Sequence, residues 1–87
     1  MAKVEIYTWQ ACPFCIRAKA LLDKKKVNYI EYKIDGQQQA RQKMMDRAQG
    51  RRTVPQIFIN DLPIGGCDEL YQLNQLGELD QMLQSLD

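Results

Sequence analysis

The chain has 87 residues, of which 45% are hydrophobic and 26% charged, and its formal net charge is +1. This length predicts one domain with a small core, spanning residues 1–87. The near balance of charges argues against broad electrostatic binding to nucleic acid or to a membrane surface, and the lack of a long apolar run argues against a transmembrane helix.

The first part of the chain predicts a strand, a helix and a second strand. KVEIYT (3–8) alternates in the manner of a strand. In the next segment, PFCIRAKALLDKK (13–25), the apolar residues Ile16, Ala20 and Leu21 recur at helical spacing. VNYIEYKI (27–34) is rich in β-branched and aromatic residues and predicts a second strand, which ends at Asp35 and Gly36.

The rest of the chain predicts a helix, a hairpin and two further helices. The first of these helices covers 37–49, and Gly50 is expected at its C′ position. Two short strands, 56–59 and 62–65, are joined by a turn at 60–61. A helix over 68–76 ends at Gly77. A last helix over 78–86 carries an apolar face, formed by Leu79, Met82, Leu83 and Leu86.

The predicted order is therefore β-α-β-α-β-β-α-α. A strand, helix and strand in succession favour a parallel pair joined by a right-handed crossover, and the later hairpin adds antiparallel strands. We expect an α/β fold with a four-stranded mixed sheet and helices on both faces.

Two of the three cysteines form a CPFC motif at residues 12–15. The N-terminal stretch MAKVEIYTWQ lacks the apolar segment of a signal peptide, so we expect a cytoplasmic protein, whose thiols are kept reduced. The absence of histidine removes most zinc sites and Cys-His nucleophile pairs. A structural disulfide and half of a metal site remain alternatives, but the β-α-β context favours a redox pair, and we expect no metal.

The spacing of the two cysteines predicts their roles. Residues three apart on a helix share a face, and their separation suits a disulfide, Cys12–Cys15. Pro13 suits the first helical position, which places Cys12 at the helix N-terminus, where free N–H groups lower the pKa of a thiol below about 8.5. Arg17 and Lys19 are expected to add positive charge. Cys12 is thus the predicted attacking sulfur and Cys15, less exposed and less acidic, the resolving one.

Three segments together, CPFC, TVPQIFI and GGCDEL, resemble a glutaredoxin of the small bacterial dithiol type over nearly the whole chain. The resemblance implies the thioredoxin fold. It also implies a glutathione-disulfide oxidoreductase, which reduces protein disulfides and protein–glutathione mixed disulfides with glutathione as electron-donating co-substrate. The implied partners are glutathione and disulfide-bearing or glutathionylated proteins, and the implied oligomeric state is a monomer.

The resemblance also implies a glutathione-binding site. Pro55 is expected to be the family's cis-proline, although a proline starting a strand is the alternative. A carboxylate is expected at the N–H groups that open the helix near Asp68, whose side chain would pair with the ligand ammonium or act as an N-cap. The implied site consists of Cys12, Phe14, Arg41, Thr53, Val54, Pro55, Gly66, Cys67 and Asp68.

Several positions of this site carry alternatives. Arg41 is in register with the residue that meets the glycyl carboxylate, and Gln42 is its rival. Cys67 is expected to be a small buried residue and not a third catalytic thiol. Trp9 stands where many family members have Lys, and Phe14 stands where Tyr is usual. The Trp9 ring is expected to border the bound glutathione, or else to cover the sheet edge.

Two other functions remain open for such a chain. One is a glutaredoxin-like protein reduced by thioredoxin reductase. The other is a carrier of a [2Fe–2S] cluster, held between two chains by one active-site cysteine from each and by two glutathiones.

Overall fold

The computed structural model describes residues 2–84, and its elements follow the predicted order. The strands are β1 (Val4–Thr8), β2 (Tyr29–Lys33), β3 (Gln56–Ile59) and β4 (Leu62–Gly65). The helices are α1 (Pro13–Lys24), α2 (Gln38–Arg47), α3 (Cys67–Gln75) and α4 (Glu78–Gln84). Leu86, predicted on the apolar face of the last helix, lies outside the described residues. Within 2–84, each helix is too short or too polar to cross a lipid bilayer.

The four strands form one mixed sheet in the order β2-β1-β3-β4. β1 pairs in parallel with β2, with Val4 opposite Tyr29 and Thr8 opposite Lys33. β1 is antiparallel to β3, and β3 is antiparallel to β4. The predicted mixed sheet and the parallel first pair are both confirmed.

Helices cover both faces of the sheet, as predicted. On one face α1, α3 and α4 pack against β1 and β3 around Ile6, Leu22 and Leu70. On the other face, a smaller cluster joins α2 to the sheet through Tyr7, Ile34, Met44, Ala48 and Phe58. All of β1 is consequently buried, since it is covered on both faces and paired on both edges.

The spacing of Ile16, Ala20 and Leu21 correctly predicted the helix α1, but of these three residues only Leu21 is buried. Ile16 is 59% exposed, and Ala20 also faces solvent. The buried side is formed by Cys15, Ala18, Leu21 and Leu22. The helix is rotated so that Cys15 and Ala18 face the sheet, because small side chains let a helix approach the strands closely.

The end of α2 also differs from the prediction by one position. Ala48 is the C-cap, so Gln49, with φ of 58°, occupies the C′ position that was assigned to Gly50. The N–H of Gly50 donates to the carbonyl of Met45 at 2.8 Å, which is the six-to-one bond of a Schellman motif. Gly50 is therefore the C″ residue.

A buried ion pair joins α2 to the central strand. Glu5, the second residue of β1, is only 3% exposed although its side chain carries a charge. Arg47 donates to both of its carboxylate oxygens, at 2.8 and 3.2 Å, and the Tyr32 hydroxyl donates at 2.8 Å. The hydrogen bond from Arg47 holds the pKa of Glu5 below its ordinary value, against the opposing effect of burial. This contact fixes the C-terminal end of α2 to the sheet.

Removing the charge of Glu5 should therefore destabilise the fold. Glu5→Gln removes the charge that pairs with Arg47. Breaking a buried ion pair costs about 3–5 kcal/mol, and we expect the lower end because the Arg47 side chain is 20% exposed and Asp61 still accepts from it at 3.3 Å. The free energy of unfolding in urea measures the loss. Asp80→Asn, which breaks the exposed Lys25–Asp80 pair, is the matched control and should cost about 0–1 kcal/mol. Equal effects of the two substitutions would contradict the role given to Glu5.

The same pair predicts how stability depends on pH. The folded-state pKa of Glu5 lies below its ordinary value of 4.5, so the unfolded chain takes up the proton first as pH falls. The stabilisation is complete above that ordinary value and is lost as pH falls through the folded-state pKa. Urea midpoints measured from pH 7 to pH 3 should drop more steeply for the wild type than for Glu5→Gln, and the two curves should converge in acid. Parallel curves would assign the acid sensitivity to other carboxylates.

Candidate active site

Cys12 occupies the N-cap of α1, as the sequence predicts. Its backbone is extended, Pro13 follows in the first turn, and its Sγ accepts a hydrogen bond from the N–H of Cys15 at 3.1 Å. A disulfide joins Cys12 and Cys15, whose Cα atoms are 5.2 Å apart. Cys12 is 8% exposed and Cys15 only 1%, so the sulfur nearer to solvent is that of Cys12.

The cations expected to support the Cys12 thiolate have other partners. The Lys19 ammonium forms an ion pair with Glu31 at 2.9 Å, a carboxylate that β2 brings alongside α1. The Arg17 guanidinium lies over the ring of Tyr71, 5.1 Å from its centroid. The prediction that both charges act on Cys12 was incomplete, because the stretch around CPFC contains no acid and the pairing strand supplies one.

The segment before β3 lies against the cysteine pair. The Val54–Pro55 peptide bond is cis, as the resemblance implied. The carbonyl oxygen of Val54 lies 3.9 Å from the Cys12 Sγ. Gln56 is buried and its side-chain amide donates to the carbonyl of Thr53 at 2.9 Å, which holds this segment in place.

A groove of about 270 Å³ runs from this segment to the start of α3. It brings together seven of the residues that the resemblance implied: Phe14, Thr53, Val54, Pro55, Gly66, Cys67 and Asp68. Two further residues line it that the sequence did not indicate, Arg51 and Glu69.

The start of α3 is built around Gly66. Gly66 is the N-cap, and its N–H donates to the carboxylate of Glu69 at 2.7 Å. A side chain on Gly66 would meet the carbonyl oxygen of Pro55 at 3.2 Å, so a glycine lets the two segments approach. The predicted helix start and possible N-cap at Asp68 were therefore wrong: Asp68 lies exposed within the first turn.

Glu69 and Arg51 form the outer side of this groove. Arg51 Nη2 lies 3.4 Å from Glu69 Oε1, the oxygen that accepts from Gly66. The hydrogen bond from Gly66 lowers the pKa of Glu69. An acid three residues after an N-cap is a sequence signal that could have indicated Glu69, whereas no local signal marks Arg51.

Cys67 belongs to the core, as predicted. It packs among Leu70 and the other residues of the larger cluster, and burial raises the pKa of its thiol. Cys67 lines the groove but is only 4% exposed, which suits a structural residue and not a nucleophile.

Arg41 lies apart from this groove. Its guanidinium stands over the ring of Trp9, 5.8 Å from the centroid, and both residues line a second groove of about 620 Å³. Asp35 lines the same groove, and its carboxylate accepts from the N–H of Gln10 at 3.1 Å. The rival residue Gln42 donates to Asp46 at 2.9 Å.

A cysteine pair at the start of α1, a cis-proline facing it and a four-stranded mixed sheet together define a thiol–disulfide oxidoreductase of the thioredoxin fold. Comparison with known proteins narrows this class. Residues 4–64 match the family model described as Glutaredoxin. The chain belongs to the glutaredoxin family.

Individual relatives agree over nearly the whole chain. A probable glutaredoxin from Synechocystis sp. is 71% identical over 82 residues, which cover 94% of this chain and 75% of the relative. The solution structure of a dithiolic glutaredoxin from Trypanosoma brucei brucei matches with a TM-score of 0.86 and 36% identity, covering 94% of this chain and 87% of the other. The crystal structure of a buckwheat glutaredoxin–glutathione complex matches with a TM-score of 0.83 and 30% identity, covering 94% and 76%.

The different surroundings of the three thiols predict the order of their alkylation. In the reduced protein, iodoacetamide should modify Cys12 first, and Cys67 should react only after unfolding, because its thiol is buried and its pKa raised. Peptide mass spectrometry before and after addition of denaturant locates the label. Modification of Cys67 in the folded protein at a rate close to that of Cys12 would contradict its place in the core.

Proposed function

We propose that this chain is a glutathione-dependent thiol–disulfide oxidoreductase that acts in the cytoplasm, as a single domain and a monomer, on protein disulfides and protein–glutathione mixed disulfides. One observation carries the proposal: the Cys12 sulfur lies 3.9 Å from the Val54 carbonyl, beside a groove that leads to the N-terminus of α3. The glutathione complex of the buckwheat relative supports the choice of ligand.

The groove suits the first two residues of glutathione. The backbone of Val54 offers an extended edge beside Cys12, where the cysteinyl part of the ligand can pair like an added strand. The N–H groups of Cys67 and Asp68 open α3 and suit the γ-glutamyl carboxylate. The Asp68 side chain is exposed and has no ion-pair partner within residues 2–84, so it suits the ligand ammonium. Phe14 packs at the rim.

Arg41 is the better candidate for the glycyl carboxylate. Its guanidinium has no carboxylate partner in the part of the chain that the structure describes. The Gln42 amide, in contrast, is engaged by Asp46. A guanidinium also offers a planar set of donors that matches a carboxylate, which an amide does not.

The reaction begins with the thiolate of reduced Cys12, held by the Cys15 N–H at the start of α1. On a glutathionylated protein, this thiolate attacks the glutathionyl sulfur and the protein leaves as its thiolate, which takes up a proton. A second glutathione, as its thiolate, then attacks the sulfur of the glutathionyl group on Cys12. Glutathione disulfide forms and Cys12 returns as a thiolate.

Protein disulfides require Cys15. Cys12 forms a mixed disulfide with one sulfur of the substrate, and the deprotonated Cys15 then attacks the Cys12 sulfur and releases the substrate as a dithiol. Two glutathiones reduce the resulting Cys12–Cys15 disulfide. Cys15 suits this second step because it is buried behind Cys12, where an incoming substrate does not reach it first.

Separate substitutions of the two cysteines test this division of labour. Cys12→Ser should abolish turnover of both substrate types, whereas Cys15→Ser should retain deglutathionylation and lose protein-disulfide reduction. NADPH oxidation coupled through glutathione reductase measures both. Cys67→Ala is the matched control, since it removes a thiol that takes no part in either step.

Two outcomes would overturn the proposal. Turnover with thioredoxin reductase alone, and none with glutathione, would assign the chain a different electron donor. Loss of deglutathionylation in Cys15→Ser would contradict the assignment of Cys12 as the thiol that suffices for that reaction.

A further inference from the structure

We infer that Trp9 is a positioning residue: its ring holds the Arg41 guanidinium at the glycyl end of the ligand site, so that the pair selects thiol ligands with a free C-terminal carboxylate. This inference rests on the proposed glutathione dependence and goes beyond it by assigning a role to the tryptophan. The observation behind it is the contact between the two side chains, 5.8 Å from guanidinium carbon to ring centroid.

The backbone that carries Trp9 and the backbone that carries Arg41 are both held by hydrogen bonds. Trp9 directly follows β1, and the next residue, Gln10, donates its N–H to both carboxylate oxygens of Asp35 at 3.1 Å. That bond ties the loop before α1 to the loop before α2. Arg41 lies near the start of α2, and its N–H donates to the carbonyl of Gln37 at 3.0 Å. The ring and the guanidinium therefore meet in the lining of the second groove.

The contact leaves the guanidinium able to bind an anion. The guanidinium carbon lies 5.8 Å from the ring centroid, and a guanidinium carries five N–H donors, more than one contact with a ring can occupy. Asp35 borders the same groove, but its carboxylate already accepts from Gln10. Arg52 lines the adjoining groove together with Arg41, so the local charge is positive. A carboxylate fits these donors better than a neutral or cationic group does.

A long arginine side chain loses conformational freedom when it binds a ligand. Contact with the Trp9 ring restricts that freedom beforehand, which lowers the cost of binding. Trp9 is 40% exposed, so most of its surface is already in contact with the protein. Many family members carry a lysine at the position of Trp9. In this chain the tryptophan at that position instead orients the Arg41 cation, which comes from α2.

Fluorescence tests the contact without any ligand. Trp9 is the only tryptophan, so its emission reports on this one site. Arg41→Ala should change the intensity or wavelength of the emission, whereas Lys43→Ala, which removes an exposed cation from the same helix, should leave it unchanged. Identical spectra for wild type and Arg41→Ala would overturn the contact between Arg41 and Trp9.

Kinetics test the selectivity. The mixed disulfides of one small thiol with glutathione and with the glycyl monoethyl ester of glutathione are compared as substrates, with glutathione as reductant and the released small thiol measured by chromatography. We expect the wild type to prefer the free acid in kcat/KM by roughly fivefold, the upper end for an exposed ion pair. Trp9→Ala should lower that preference to less than about twofold through KM, while Trp9→Phe, which keeps an aromatic face, should restore most of it.

The variants separate the possible failures. Arg41→Ala should lose the preference, and Trp9→Ala with Arg41→Ala should lose no more than Arg41→Ala alone, because the two act as one unit. If Trp9→Ala kept the full preference for the free acid while Arg41→Ala lost it, the role of Trp9 would be overturned, and Arg41 alone would remain the group that binds the carboxylate. If both single variants kept the full preference for the free acid, the glycyl carboxylate would have to bind at another place. No turnover of either mixed disulfide by the wild type would instead overturn the proposed function itself.

Discussion

The burial of β1 is the constraint on which the rest of the structure depends. This strand is paired on both edges and covered on both faces, so each of its side chains needs a partner inside the protein. Apolar residues meet most of that need on the α1 face, whereas Glu5 meets it chiefly through Arg47 and Tyr32. The strand then ends at Thr8, and the next residues enter the loop that carries the chain to Cys12. The position of the reactive sulfur thus follows from the central strand.

The site is held together more by backbone groups than by free charges. The Cys12 sulfur accepts from a backbone N–H, and the start of α3 offers further N–H groups to the groove. Side-chain charges nearby are largely paired with each other, as Lys19 with Glu31 and Arg51 with Glu69. Backbone donors do not move with ionic strength or side-chain rotation. The hydrogen bonds that stabilise such a thiolate therefore stay the same when substrates of different charge bind.

Local signals in the sequence predicted most of the fold and the centre of the site. Pro13 after Cys12 marks a helix start, and the segment around Pro55 was placed by its resemblance to the glutaredoxin family. The errors arose where two distant segments meet. The buried face of α1 depends on the sheet beneath it, so the spacing of Ile16 and Ala20 indicates a helix but not which side of it is buried. The neutralisation of Lys19 depends on Glu31 from another strand, and Arg51 enters the groove only because it meets Glu69 of α3. No spacing within one segment encodes such pairings.

The buried ion pair also bears on the site, although it lies at the far end of β1. Arg47 and Arg41 belong to the same helix, six residues and therefore about 9 Å apart along its axis. Because a helix moves as a rigid element, the contact between Arg47 and Glu5 limits how far Arg41 can shift relative to Trp9. Trp9 in turn is placed by the end of the same strand that carries Glu5. The strand β1 therefore fixes both members of the Trp9–Arg41 contact, Trp9 directly and Arg41 through α2. A substitution that weakens the Glu5–Arg47 pair would let α2 shift and would thereby displace Arg41 at the ligand site.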